Sequence, residues 1–524
     1  MKLERSSNAK RNIIFGIINK CATTFLPFVL RTVIIYVIGS EYLGLDSLFS
    51  SILKVLSLTE LGFSSAVVYS MYKPIMENDE DTLSAIFYFY RKIYALVGGV
   101  ILVIGLIIVP FIPKLISGSY PSDINIYVLY LMFLANTCVS YFLFAYKSSL
   151  LNAYQRVDIS NKINTVVMVG CYAIQVIVIF ATRNYYIYTS VMIAATVANN
   201  LCTAYFTKKY FPNILPRGVI SKEKKRDIME KVKGLMLSKV CATSRNAFDS
   251  IFMSAFLGLT QTTIYNNYYY ISSAVTSFMN VTDSALLGGI GNSIQMESEE
   301  KNYRDMNKIN FIYMWLGGWF TICLICLYQP FTQLVWGKDM LFPFSTVIVF
   351  CLYFYTLKMG DIRYTYSSAC GLWWENRYRS IAEAVANLIL NYFLGKYFGA
   401  FGIVLATLLS LFFFNFMWGS TIIFKYYFKH QKISDYFIHH GLYAAVTFGA
   451  CLLTYGACTL LVGPLWLQLF IRVVLCVAIP NVIYLIAYRK YSLYGEAIPW
   501  ILGVFKVSPK HLIYKILVPA SKRK

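Results

Sequence analysis

Eight basic residues stand inside stretches of sequence that are otherwise apolar: Lys20, Arg31, Lys54, Lys239, Arg245, Lys358, Arg363 and Arg472. A charge at the centre of a bilayer costs at least about 2.5 kcal/mol, so one that persists there faces a partner or water. The chemistry that fixed cations in a wet, low-dielectric setting can do is to receive an anion with a large polar head. An anion with a hydrated head cannot cross hydrocarbon unaided, because every charge and polar group would lose its water. Lysine and arginine replace part of that solvation, and a few dispersed charges serve better than a tight cage, since the anion must also leave.

The spacing of these residues places them on helix faces. Lys20 and Arg31 are eleven residues apart, which at about 100° per residue puts them roughly 20° apart around one helix. Thr24 and Pro27 share that face and complete a polar stripe. A shift of 219 positions superposes Lys20 on Lys239, Thr24 on Thr243 and Gly39 on Gly258, so that Lys239, Thr243, Asn246 and Ser250 repeat the stripe. Lys54 lies twelve residues from one end of its apolar run and seventeen from the other, too deep to snorkel easily, and is the strongest candidate for an anion contact. Arg31, eight residues from Gly39, can also be read as snorkelling to the surface. Arg245 with Asp249, four residues apart, and Lys358 with Asp361, three apart, are either self-neutralising pairs or site residues. Glu60, Asp283 and Glu383 can serve a coupling cation, Na+ or H+, or act as charge partners. Arg363 and Arg472, close to the ends of their runs, read as interface anchors.

The elements that must carry these residues follow from composition. The chain has 524 residues, 58% hydrophobic and 14% charged, with mean hydropathy +0.57, which places it among polytopic membrane proteins. Its apolar runs of about 20 residues lack strand alternation and predict an all-α bundle. The first run follows Lys2, Arg5, Lys10 and Arg11 but has no small-residue cleavage site, so it is expected to stay as a span. About fourteen spans are predicted: 12–38, 42–71 (interrupted near Gly62), 86–112, 124–146, 163–182, 184–206, 234–257, 264–290, 311–328, 341–370, 378–394, 398–424, 441–461 and 465–488. With the N-terminus inside, only Lys114, Arg183, Lys338 and Lys396 fall in outer loops. That sorting supports an even number of spans with both termini cytoplasmic. The net charge of +22 is then a topology signal and an attraction to anionic membrane lipids, and nucleic-acid binding is not needed to explain it.

The domain reading is an N-lobe of six spans (1–206), a basic cytoplasmic linker (207–233), a second lobe of six spans (234–424), two further helices (425–488) and a cytoplasmic, interfacial tail (489–524). The twelve cysteines lie mostly in apolar runs and suggest no disulfide framework. Cys323 and Cys326 form a C-x-x-C inside a span, which reads as helix packing. No G-x-x-x-x-G-K-[ST] and no H-E-x-x-H is present, so the sequence offers neither an ATPase loop nor a metalloprotease site. A transporter without a cofactor is expected, not an enzyme.

Three segments, GSEYLGLDSLFSSILKVLSLTELGFSSA (39–66), FDSIFMSAFLGLTQTTIYNNY (248–268) and FGAFGIVLATLLS (398–410), resemble those of the repeat-unit flippases of bacterial polysaccharide synthesis. That family lies in the exporter superfamily which also holds the multidrug-and-toxin exporters and the lipid II flippase. The resemblance implies two six-helix lobes around a central cavity, two additional C-terminal helices, and alternating access in a bacterial cytoplasmic membrane. It also implies a polyprenyl-pyrophosphate-linked oligosaccharide as substrate and other polysaccharide-assembly membrane proteins as partners. A cation-coupled drug exporter of the same superfamily would be expected to place carboxylates on the first span, which here has two bases and no acid. A glycan polymerase or ligase would need a sizeable outer loop, and the longest here has about a dozen residues.

Overall fold

The computed structural model describes residues 5–57, 63–504 and 518. Among them every regular element is a helix, as the unbroken apolar runs require, since backbone groups in hydrocarbon must be satisfied within their own segment. The chain divides into two compact units, Met1–Asn266 and Asn267–Lys524.

The first unit contains α1 (Arg5–Val37), α2 (Ser40–Leu56), α3 (Phe63–Glu77), α4 (Glu80–Ile108), α5 (Ile126–Phe142), α6 (Ser148–Ala153), α7 (Val157–Thr182), α8 (Tyr185–Tyr210), α9 (Lys222–Leu257) and the start of α10 (Leu259–Met296). Starts are set by caps. Asn125 and Asn184 accept the amides of the second and third residues that follow them, and Ser221 accepts that of Lys224. Asp79 accepts the Thr82 amide at 2.9 Å, and hydrogen bonding by the Thr82 side chain and backbone holds its carboxyl below the usual range. In this unit α1 packs on α7, α7 on α8, α8 on α5, and α2 on α9. Gly44 lets α10 close on α2: a Cβ there would stand 2.7 Å from the Leu259 Cβ.

The second unit continues with α11 (Glu299–Trp336), α12 (Phe344–Met359), α13 (Asp361–Ala369), α14 (Arg377–Ser410), a π-helix (Leu411–Trp418), α15 (Gly419–Tyr426), α16 (Ile433–Thr459), α17 (Leu465–Tyr488) and α18 (Ser492–Val504). α14 is broken at Gly399 (φ 59°, ψ −137°), at the boundary expected between two spans. α11, α16 and α17 pack pairwise into a three-helix group, and α12 packs against α14.

Nine helices among the described residues are long and apolar enough to cross a membrane, or ten when α5 and the following segment, bent by 46°, count as one span. α2, α9 and α10 fall outside that set. α2 has only 17 residues, α9 carries Lys239, Arg245 and Asp249, and α10 opens on a run of threonines and asparagines. The segments that miss the hydropathy standard are thus among those that carry candidate site residues.

The 219-residue offset has a backbone counterpart. Gly39 follows α1 with φ +120° and Gly258 follows α9 with φ +86°, and a new helix begins directly after each. A residue with a Cβ resists that conformation, which is why both positions are glycine.

Candidate substrate-contact site

All five basic residues expected to contact substrate lie in the first unit. Lys20 is exposed on α1 and Arg31 is half-buried near its C-terminal end. Lys54 is exposed in the last turn of α2, where the carbonyl end of the helix dipole favours a cation. The long second span is therefore two helices, with Lys54 beside the point where the first ends. Lys239 lies on α9, its side chain outside the described residues, as is Glu60 altogether.

The sequence reading missed Asp46, in the YLGLDS stretch. It is half-buried on α2, and its carboxylate interacts electrostatically with both Arg31 and Lys54. One acid on α2 thus links the two bases expected to bind the anion. The same carboxylate acts on Tyr185 and Tyr188. Those rings stack 4.9 Å apart on α8, and Tyr185 also meets the Tyr42 ring at 5.2 Å. Tyr42 in turn donates to Asp123 at 2.7 Å. The aromatic side chains of α2 and α8 form the wall behind Asp46.

Arg245 and Asp249 are both buried on α9, one helical turn apart. Asp249 accepts the Tyr265 hydroxyl at 2.9 Å. Beside them Ser250 and Asn266 exchange hydrogen bonds at 3.3–3.4 Å, so the repeated stripe is embedded in side-chain contacts with α10.

In the second unit Lys358, 1% exposed, meets Asp361 at 2.6 Å, and Tyr313 donates to the same carboxylate oxygen at 2.7 Å. The two residues that the sequence paired at i,i+3 are thus in direct contact. Asp283 lies on α10, its side chain outside the described residues. Glu383 accepts Arg379 at 2.7 Å and Asn415 at 3.5 Å. Arg363, expected to anchor at an interface, is instead 1% exposed and donates to the backbone and side-chain oxygens of Asn415 at 3.0 Å each. The π-helix turns Asn415 to this position, and Gly419 makes room: a Cβ there would stand 2.8 Å from the Arg363 Cζ. Further along α14, Asn391 donates to Asn387, which donates to Thr407. The sequence carried a signal for these polar groups, since Arg379, Glu383, Asn387 and Asn391 are each four residues after the last. Asn415 had no such signal.

The described residues form a multi-pass helical bundle with buried ion pairs and a cation-bearing first unit. The chain belongs to the family described as polysaccharide biosynthesis protein, whose model matches residues 9–287. Its structure is similar to the lipid II flippase MurJ in an inward closed conformation (TM-score 0.64, 14% identity, 91% of this chain and 99% of that one). An inward-facing multidrug-resistance MATE transporter superposes with TM-score 0.58 at 13% identity over 76% of this chain and 94% of that one. A transporter of the same superfamily from Pyrococcus furiosus, reported with reverse polarity of its binding pocket, gives 0.51 at 13% over 79% and 95%. At these identities the likeness is one of fold. No curated protein matches in sequence.

Proposed function

We propose that the chain is a flippase that carries a polyprenyl-pyrophosphate-linked oligosaccharide from the inner to the outer leaflet of a bacterial cytoplasmic membrane by alternating access, with both termini cytoplasmic. The observation that carries this reading is the charge set on α1 and α2: Lys20, Arg31 and Lys54, the last two of which share the carboxylate of Asp46. A net positive group in a membrane-embedded unit suits a pyrophosphate and repels an organic cation. Arg31 and Lys54 contact the pyrophosphate, while Lys20, Lys239 and Arg245 keep its surroundings positive. Asp46 holds the two contact cations in place and moderates their grip, so that the anion is released. Family membership and the MurJ-like fold support the reading.

Arg31→Ala combined with Lys54→Ala is expected to abolish surface polysaccharide while the protein is still inserted at the wild-type level. Normal export from that double variant removes the assignment. Broad drug hypersensitivity of a deletion strain with unchanged surface glycan would instead identify a drug exporter.

A further inference from the structure

Cys326 of α11, Cys458 of α16 and Cys476 of α17 are separated by 132 and 18 positions in sequence, yet their thiol sulfurs all lie within 4.8 Å of one another. Each is at most 1% exposed. They fall in one layer of the three-helix group formed by α11, α16 and α17, an arrangement that presents one ligand from each helix towards a common axis. No histidine or carboxylate joins the cluster among the described residues.

The backbone around two of the thiols is built in a matching way. Pro330 lies four residues after Cys326 in α11, and Pro480 lies four after Cys476 in α17. Proline has no N–H, so each cysteine carbonyl loses its helical partner. The helices repair one another: Arg472 of α17 donates to the Cys326 carbonyl at 3.1 Å, and Trp319 of α11 donates to the Cys476 carbonyl at 2.8 Å. This reciprocal pair of cross-helix bonds fixes α11 against α17 at the level of the thiols. It also brings the Arg472 charge to the cluster, where it acts on Cys458. Arg472, which the sequence suggested as an interface anchor, is half-buried and donates to α11.

We propose that Cys326, Cys458 and Cys476 form a trigonal thiolate site for one soft monovalent cation of the Cu(I) class. At a metal–sulfur distance of about 2.3 Å, three sulfurs in a plane stand about 4.0 Å apart, inside the 4.8 Å within which these three already lie. Thiolates select soft ions, and the lack of a fourth His, Cys or carboxylate ligand among the described residues disfavours tetrahedral zinc. Binding of Cu(I) with release of three protons leaves three thiolates around the ion and a net charge of −2, of which the Arg472 guanidinium offsets one unit. No electron is transferred, because the ion enters already reduced. The bound ion ties the last two long helices to α11.

The test is titration of the full-length protein, purified in detergent under reductant, with Cu(I) delivered from a chromophoric chelator. One equivalent per chain is expected, with X-ray absorption showing three sulfur ligands at about 2.3 Å. Cys326→Ala, Cys458→Ala and Cys476→Ala should each lose that equivalent, and Cys202→Ala should keep it. Arg472→Met is expected to weaken binding by about 10- to 100-fold, as loss of an outer-shell partner does. Oxygen or nitrogen ligation in the wild-type protein, uptake that persists in the triple alanine variant, or no uptake at all would each overturn the site. So would a disulfide between two of these cysteines in the protein purified under reductant. The absorption spectrum needs no variant, so it decides the matter even where a substitution impairs folding.

Discussion

Glu383→Ala is the substitution whose effect the structure specifies most fully. The Glu383 carboxylate, 4% exposed, accepts Arg379, itself 5% exposed, at 2.7 Å, and it also acts on the buried Arg363 guanidinium. Its removal leaves two arginines in a water-poor interior without their nearest shared counter-charge and takes an acceptor from Asn415. Breaking a buried pair from one side costs about 3–5 kcal/mol. For a unit of this size about 1 kcal/mol corresponds to about 2–4 °C in Tm, so a fall of about 6–20 °C is expected. The assay is thermal unfolding in detergent followed by the aggregation or fluorescence midpoint. Arg379→Met with Glu383→Leu, which removes both charges at similar volume, should recover most of the loss, because the penalty comes from stranding a charge and not from lacking a salt bridge. A Glu383→Ala protein that melts within about 1 °C of the parent would refute the reasoning, since the network would then be hydrated and its charges screened.

Three further outcomes follow from named contacts. Asp361→Ala should destabilise by about 3–5 kcal/mol by stranding the buried Lys358 ammonium, whereas Lys358→Met should cost clearly less, both read from the unfolding midpoint. Gly258→Ala should cost more than Gly39→Ala. Both incur about 1–2 kcal/mol from positive φ, but only the Gly258 Cβ would press on a backbone oxygen, that of Ser117 at 2.7 Å, as comparison of the two midpoints will show. The lowered pKa of Asp79 means that its cap is fully formed above the ordinary carboxylate range and is lost as pH falls through the lowered value. Exchange of the Thr82 amide should therefore accelerate only in acid, and in Asp79→Ala at neutral pH as well.

Much of the fold was legible because lipid imposes a simple constraint. The last span was predicted at 465–488 and α17 occupies Leu465–Tyr488. The boundary between the spans ending at 394 and beginning at 398 reappears as the Gly399 break. Hydropathy was silent where a helix continues into water: α9 begins at Lys222, inside the basic stretch read as a linker, since exposed lysines and glutamates are good helix formers. It was silent too on the division of the tenth span into α12 and α13 at Gly360. Of the candidate site, the Lys358 and Asp361 pair could be seen because helical neighbours are three or four residues apart. Asp46 was overlooked because an acid in the first turns of a span looks like a boundary residue, and only its proximity to Arg31 and Lys54 reveals another role.

What the sequence determined by itself was a membrane-spanning helical protein, the basic residues it must accommodate, and the family to which it belongs, for periodicity, hydropathy and short-range spacing are properties of a single strand of residues. Only the tertiary structure decided that Arg363 is held by Asn415, that Arg472 caps a carbonyl freed by a proline on another helix, and that three cysteines read as packing share one layer. Those contacts join residues from 18 to 150 positions apart. Which side chain meets which at such separations depends on the rotation and depth of each helix against its neighbours, which no local pattern records.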